Sequence, residues 1–168
     1  ANRLITFIKN NSVHLLKLVN EILDLSKLET NRLEIKETEI NFHEFLQPLL
    51  AQYKSASSSE SLHLRFDYRA DKSLNISLDI GKFEKIVHNF LSNAIKFTPE
   101  EGSVTLTVED KGEQLLVKVT DTGAGIHPND LPHIFDRFYQ SKQPDAPVQG
   151  GTGIGLSLCK ELADLLGG

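Results

Sequence analysis

The 168-residue sequence holds one cysteine, no methionine and no tryptophan. A lone Cys159 excludes a disulfide scaffold and a cysteine-rich zinc site, and it points to a reducing compartment such as the cytoplasm. No run approaches the roughly 20 apolar residues of a membrane span, and no signal peptide opens the chain. The absent initiator methionine predicts a piece of something longer. The net charge of -5 argues against non-specific nucleic-acid binding. A charged fraction of 24% and a hydrophobic fraction of 39% describe a globular chain with enough apolar material for a core.

Charge is unevenly placed. Residues 1–33 carry five basic and three acidic groups, a net of +2, which leaves -7 for the rest. A phosphate site in that acidic remainder needs backbone N–H groups, lysines or a metal ion.

The first segment reads as one long helix. Leu4, Ile8, Asn11, Leu15, Leu18, Ile22 and Leu25 follow the 3.5-residue period of a coiled-coil seam. Ile5, Leu16, Val19 and Leu23 widen the stripe to that of a four-helix bundle, whose partner helices lie outside this helix. Packing against the chain's own domain is the alternative. Leu33–Lys36 with Glu37 alternates as a short strand. Asn41 caps a helix through Phe42, Phe45, Leu46, Leu49, Leu50 and Tyr53, which the serines of Ser55–Ser61 end. Strands follow at Leu62–Arg69 and Ser73–Leu78, and Asp79 opens a second helix running to Pro99. Ser103–Glu109 and Gln114–Thr120 form a hairpin about Asp110–Glu113. A short helix at Asn129–Tyr139, an aperiodic stretch at 140–151 and a last helix at Ile154–Leu166 complete the chain. This order predicts an α+β fold: a two-layer sandwich with a mixed, mostly antiparallel sheet and helices on one face, preceded by the long helix.

Three features carry chemistry. Asn89, Asn93 and Lys96 lie on one helix face at i, i+4 and i+7. Carboxamide oxygens are hard ligands for Mg²⁺, and a lysine pairs with phosphate as a point charge. Alone, the spacing reads first as a solvated helix face. Asp121-Thr122-Gly123-Ala124-Gly125-Ile126 follows a strand, where glycines permit close backbone approach and an aspartate accepts from an exocyclic amine. A tight turn is the plain alternative. Gly150-Gly151-Thr152-Gly153-Ile154-Gly155-Leu156 runs into the last helix and points N–H groups at an anion. It is neither a Walker sequence nor a Rossmann fingerprint, because Leu156 stands where the latter needs glycine.

Together and in this order, the three resemble the histidine-kinase/gyrase/Hsp90/MutL ATPase superfamily, and within it the sensor histidine kinases of two-component systems. The N box spans His88–Pro99, the first glycine box Asp121–Ile126, the F box Ile134–Tyr139 and the second glycine box Gly150–Leu156. Ile22–Glu29 is typical of the second helix of that family's dimerisation hairpin. The resemblance implies residues 1–32 as that incomplete helix and 33–168 as the catalytic ATP-binding domain, with C-terminal strands missing.

It further implies ATP and Mg²⁺ as cofactors, with Asn93 on the metal and Asn89 and Lys96 as the catalytic residues at the phosphates. Asp121 would read the adenine amino group. Gly123, Gly125 and Ile126 would shape the base pocket, and Gly151, Thr152, Gly153, Gly155 and Leu156 would close over the phosphates. Residues 127–150 would form a lid anchored by the packing of Phe135 and Phe138, with Arg137 and Lys142 either reaching the phosphates or solvated. The implied reaction is transfer of the ATP γ-phosphate to a histidine, then relay to the receiver domain of a response regulator. The implied setting is a homodimer, cytoplasmic, in a parent anchored in the inner membrane; neither nucleic acid nor membrane contacts the fragment itself.

His14 lies in Val13-His14-Leu15-Leu16-Lys17, which lacks the family's phosphoacceptor pattern, and reads as a bundle-flank residue. The fragment is therefore expected to bind ATP without phosphorylating itself. His43, His63, His127 and His133 read as surface or loop residues. An ATP-hydrolysing clamp of the gyrase or Hsp90 kind would need a glutamate base in the N box, where this chain has His88-Asn89. A degenerate dimerisation module is the non-enzymatic alternative, against which the intact glycine boxes count.

Overall fold

The computed structural model describes residues 2–30, 33–57, 62–141 and 151–168, without the side chains of residues 2, 3, 10, 14, 17, 29 and 55–57. The His14 side chain, the serines at 58–61, Lys142 and Gly150 lie outside the described residues. The order is α1 (Asn2–Glu29), β1 (Thr38–Asn41), α2 (Phe42–Ser57), β2 (His63–Tyr68), β3 (Asn75–Leu78), α3 (Ile80–Phe97), β4 (Ser103–Asp110), β5 (Leu115–Asp121), a 3₁₀ turn (Leu131–His133) and α4 (Gly155–Leu166).

The α+β expectation holds. β4 is the centre of a three-stranded sheet, parallel to β2 and antiparallel to β5, while β1 and β3 form a separate antiparallel pair. Val104, Leu106 and Val108 alternate along β4 with no exposed surface, and they meet Phe42, Leu46, Leu49 and Leu50 of α2 and Val87, Leu91 and Ala94 of α3. Each fully buried apolar side chain of this size contributes about 1.5–3 kcal/mol, so this layer holds the domain together.

Side-chain caps fix the ends of both helices on the sheet. Glu44 N–H donates to Asn41 Oδ1 at 2.9 Å, and Lys82 N–H donates to Asp79 Oδ1 at 3.1 Å. Thr98 closes α3 with its N–H and its hydroxyl, both donating to the Ala94 carbonyl, and Pro99 prevents continuation. In the β4–β5 hairpin Gly112 takes φ +88° and donates its N–H to Asp110 Oδ1 at 2.7 Å.

A second cluster joins α1 to the domain: Leu25 packs with Ile154, Leu158 and Leu162, flanked by Leu18, Leu28, Leu33 and Ile86. Asp24 pairs with Lys85 of α3. Toward its N-terminus α1 leaves Leu4, Ile5, Ile8, Leu15 and Leu16 largely exposed. Packing against the chain's own domain therefore holds for the Leu18, Asp24, Leu25 and Leu28 side of the helix, while Val19, Ile22 and Leu23 stay exposed like the residues nearer the N-terminus. Asn11, in the seam, donates to the Phe7 carbonyl one turn back at 2.8 Å.

Three expectations are corrected. Residues 33–37 are not a strand, and the strand begins at Thr38, where β3 supplies partners. The Lys36 N–H instead donates to Asp79 Oδ2 at 2.8 Å. Residues 129–139 form no helix beyond the 3₁₀ turn, because the chain folds back onto Asp130. His43 is a half-buried residue of α2 with its ring against Phe66 and Tyr68. Cys159 is buried, as its helix position suggests. Among the described residues no helix is long and apolar enough to cross a membrane.

Candidate nucleotide site

α3 presents the first part of the site. Burial of Val87, Leu91 and Ala94 against the sheet fixes the rotation of the helix, so Asn89, Asn93 and Lys96 share another face, which meets the start of α4 at Asn89. Asn93 Nδ2 donates to Asn89 Oδ1 at 3.0 Å, which leaves the Asn93 oxygen as the acceptor end of the pair. Lys96 Nζ lies 4.8 Å from the centroid of the Phe97 ring.

The second glycine box meets this face. A Cβ on Gly151 would stand 3.8 Å from Lys96 Nζ, and one on Gly155 would collide with the Asn89 carboxamide. The structure thus brings Asn89, Asn93, Lys96, Gly151 and Gly155 together, as the sequence anticipates. Gly153 adopts φ +69°, and its carbonyl accepts from Phe138 N–H at 2.8 Å. The Thr152 hydroxyl accepts from Ile154 N–H at 3.1 Å and donates to Glu21 Oε2 of α1 at 2.9 Å. Leu156 lies half-buried in the first turn of α4.

The first glycine box closes the other side. Gly123 N–H donates to Asp121 Oδ1 at 2.8 Å, and a Cβ on Gly123 would stand 2.5 Å from the Phe97 carbonyl oxygen. Only glycine lets this loop lie against the end of α3. Between loop and helix runs an open groove of about 450 Å³ lined by Lys96, Phe97, Thr98, Pro99, Thr122, Gly123 and Ala124. Gly125, with φ +73°, has open space where a Cβ would project, and Ile126 is half exposed.

The segment after Ile126 departs from the expected anchoring. Phe138 is 65% exposed, so its ring does not anchor the segment, while Phe135 is more than half covered, with Lys160 Nζ 6.0 Å from its ring centroid. The segment is held by polar contacts about buried Asp130, which accepts from Tyr139 Oη at 2.8 Å and Ser141 Oγ at 2.5 Å. Accepting at Asp130 also raises the Tyr139 pKa. Phe138 itself takes φ +64°, with its backbone against Gly153. Arg137 is directed to Glu161 of α4 at 2.7 Å rather than to the groove.

Sequence reasoning missed two contributors. Thr122 stitches the first glycine box to β4: its N–H donates to the Ser103 carbonyl at 3.0 Å, and its hydroxyl accepts from Ser103 N–H at 2.9 Å. The Tyr53 hydroxyl pairs with His88 Nδ1 and donates to the His88 carbonyl at 3.4 Å, next in sequence to Asn89, and burial pushes the tyrosine pKa up to about 12. Aromatic spacing on α2 gave only a core signal for Tyr53.

Known proteins resemble this chain in sequence and in fold. Over its full length the chain is 34% identical to the sensor histidine kinase RcsC of Escherichia coli K12, and 30% identical to the sensor histidine kinase WalK of Bacillus subtilis. Over 94% of its length it is 31% identical to histidine kinase P4 of Formosa agariphila. It spans only 18%, 28% and 12% of those three proteins. Among solved structures, full-length ShkA in complex with AMPPNP superposes with TM-score 0.82 and 26% identity, covering 99% of this chain and 34% of that one. The histidine kinase AdeS of Acinetobacter baumannii shares the fold, with TM-score 0.78 at 21% identity, covering 98% of this chain and 74% of that one. Residues 78–168 contain all the glycine and asparagine positions assembled above, and over them the chain belongs to the histidine kinase-, DNA gyrase B- and HSP90-like ATPase family.

Proposed function

We propose that this chain is the ATP-binding catalytic region of a sensor histidine kinase, which passes the ATP γ-phosphate to a histidine of the parent protein for relay to a response regulator. The observation that carries the reading is the meeting of the Asn89–Asn93–Lys96 face with the second glycine box. A kinase–response-regulator complex, that of ThkA with TrrA, is among the structures sharing this fold. In this reading residues 1–32 are the second helix of a dimerisation hairpin, residues 33–168 the ATP domain, and the region is cytoplasmic.

The donor set fits a magnesium nucleotide. The Asn93 oxygen is a hard ligand, and the space at Gly155 that a Cβ would fill keeps the neighbouring Asn89 carboxamide in place. Bound Mg²⁺ would neutralise triphosphate charge. Lys96 would pair with a phosphate, the N–H groups of the glycine box would hold phosphate oxygens, and Asp121 would accept from the adenine amino group. Catalysis in this design is positioning plus electrostatics. The neutral carboxamide of Asn89 stands where a water-activating clamp needs a glutamate, which supports transfer to histidine over hydrolysis.

Thermal denaturation with Mg-ATP tests the reading. At about 100 times the dissociation constant a ligand adds about 2.7 kcal/mol of stability, a rise of several degrees in Tm. No rise at millimolar Mg-ATP would support the degenerate module instead.

A further inference from the structure

Glu21 is only 7% exposed, on a helix whose N-terminal half is open to solvent. A buried carboxylate is costly unless its surroundings compensate it. Here its Oε2 accepts from the Thr152 hydroxyl at 2.9 Å, and the same hydroxyl accepts from Ile154 N–H where α4 begins. Asp24 on Lys85 and Leu25 against Ile154, Leu158 and Leu162 seat this stretch of α1 on the domain. The first turn of α4 carries no acidic residue, and its N-cap Ile154 makes no side-chain cap. α1 therefore delivers a negative charge to the positive end of the α4 dipole, within the glycine box.

We infer that Glu21 is an internal competitor for the phosphate end of a nucleotide, so that seating of α1 on α4 and nucleotide binding oppose each other. The inference rests on the nucleotide reading of the glycine box. Like charges held close in a partly buried site repel, and the Thr152 hydroxyl has a single proton to donate. Linkage makes the effect reciprocal: nucleotide loosens α1, and a loosened α1 admits nucleotide. Because the competition is for phosphate, neutral adenosine is indifferent to it.

The test measures ATP and adenosine affinities in Mg²⁺ for the whole 168-residue chain and for Glu21→Gln, which keeps an oxygen for Thr152 but removes the charge. ATP should bind Glu21→Gln about tenfold more tightly, with adenosine unchanged. Lys85→Ala, which loosens the seat without touching the glycine box, should also tighten ATP. In a Cys159→Ser background, spin labels at Ile22 and Asp164, both exposed, should move apart when Mg-ATP saturates the protein. ATP binding to Glu21→Gln no tighter than to the original chain overturns the inference, as does an equal gain for adenosine or an unchanged label distance. Failure of every variant to bind ATP overturns the nucleotide reading itself, and this inference with it.

Discussion

Gly155 and Asn89 claim the same space: a Cβ on Gly155 would stand 2.2 Å from Asn89 Nδ2. The glycine opens a helix and so need not be glycine for helix formation. It is there because the carboxamide of α3 lies against the start of α4. Gly155→Ala should push the flexible Asn89 side chain aside and break its pairing with Asn93, at a cost to stability of about 1–2 kcal/mol. Nucleotide affinity should fall by about tenfold or more. Calorimetric titration beside a thermal melt separates the two effects, and a Gly155→Ala protein with unchanged affinity contradicts the role given to Asn89.

Gly153 should be less forgiving. It combines φ +69° with backbone on the far side, since a Cβ would stand 2.6 Å from the Phe138 carbonyl carbon. Gly112 has φ +88° and nothing within 4 Å. Gly112→Ala should therefore cost only the conformational term of about 1 kcal/mol, and Gly153→Ala clearly more. Urea denaturation of the two variants should rank them in that order.

Asp79 links stability to acid. Burial works against its carboxylate, but hydrogen bonds from the Lys82 ammonium, Lys36 N–H and Lys82 N–H, with the Lys82 charge, outweigh it and hold the pKa below the usual aspartate value. A depressed carboxylate pKa contributes stability that is fully present above the unfolded value, about 3.9, and is lost as pH falls through the folded value. Asp79→Ala should cost about 1–2 kcal/mol at neutral pH through the lost cap. The gap between the two proteins should stay constant from about pH 5 to 8 and shrink below about pH 4. A gap that widens in acid would reverse the assignment.

The sequence made the N-caps legible because Asn41 and Asp79 stand just before apolar helical periods, and the hairpin because Asp110 to Gly112 is turn chemistry. The strand at 33–37 misled because its alternation is real but serves other ends. Leu33 joins the α1–α4 cluster, and the Lys36 N–H is taken by Asp79 rather than by a neighbouring strand. The helical reading of 129–139 failed because apolar spacing gave no hint that Tyr139 and Ser141 would return to Asp130. At the site, the glycines and the Asn/Lys ladder became legible from the order of the boxes and the resemblance they carry, not from any one spacing. Glu21 could not, because a polar residue on the flank of an apolar seam looks solvated until Thr152 is found bonded to it.

Calorimetric titration with a non-hydrolysable ATP analogue tests the central claim most directly, comparing Mg²⁺ with EDTA and the original chain with Asn93→Ala. Binding in Mg²⁺ that weakens at least about tenfold in EDTA, with Asn93→Ala weak in both, is the result expected of a carboxamide-held magnesium nucleotide. Equal affinity in all four titrations, or no binding in any, would contradict it.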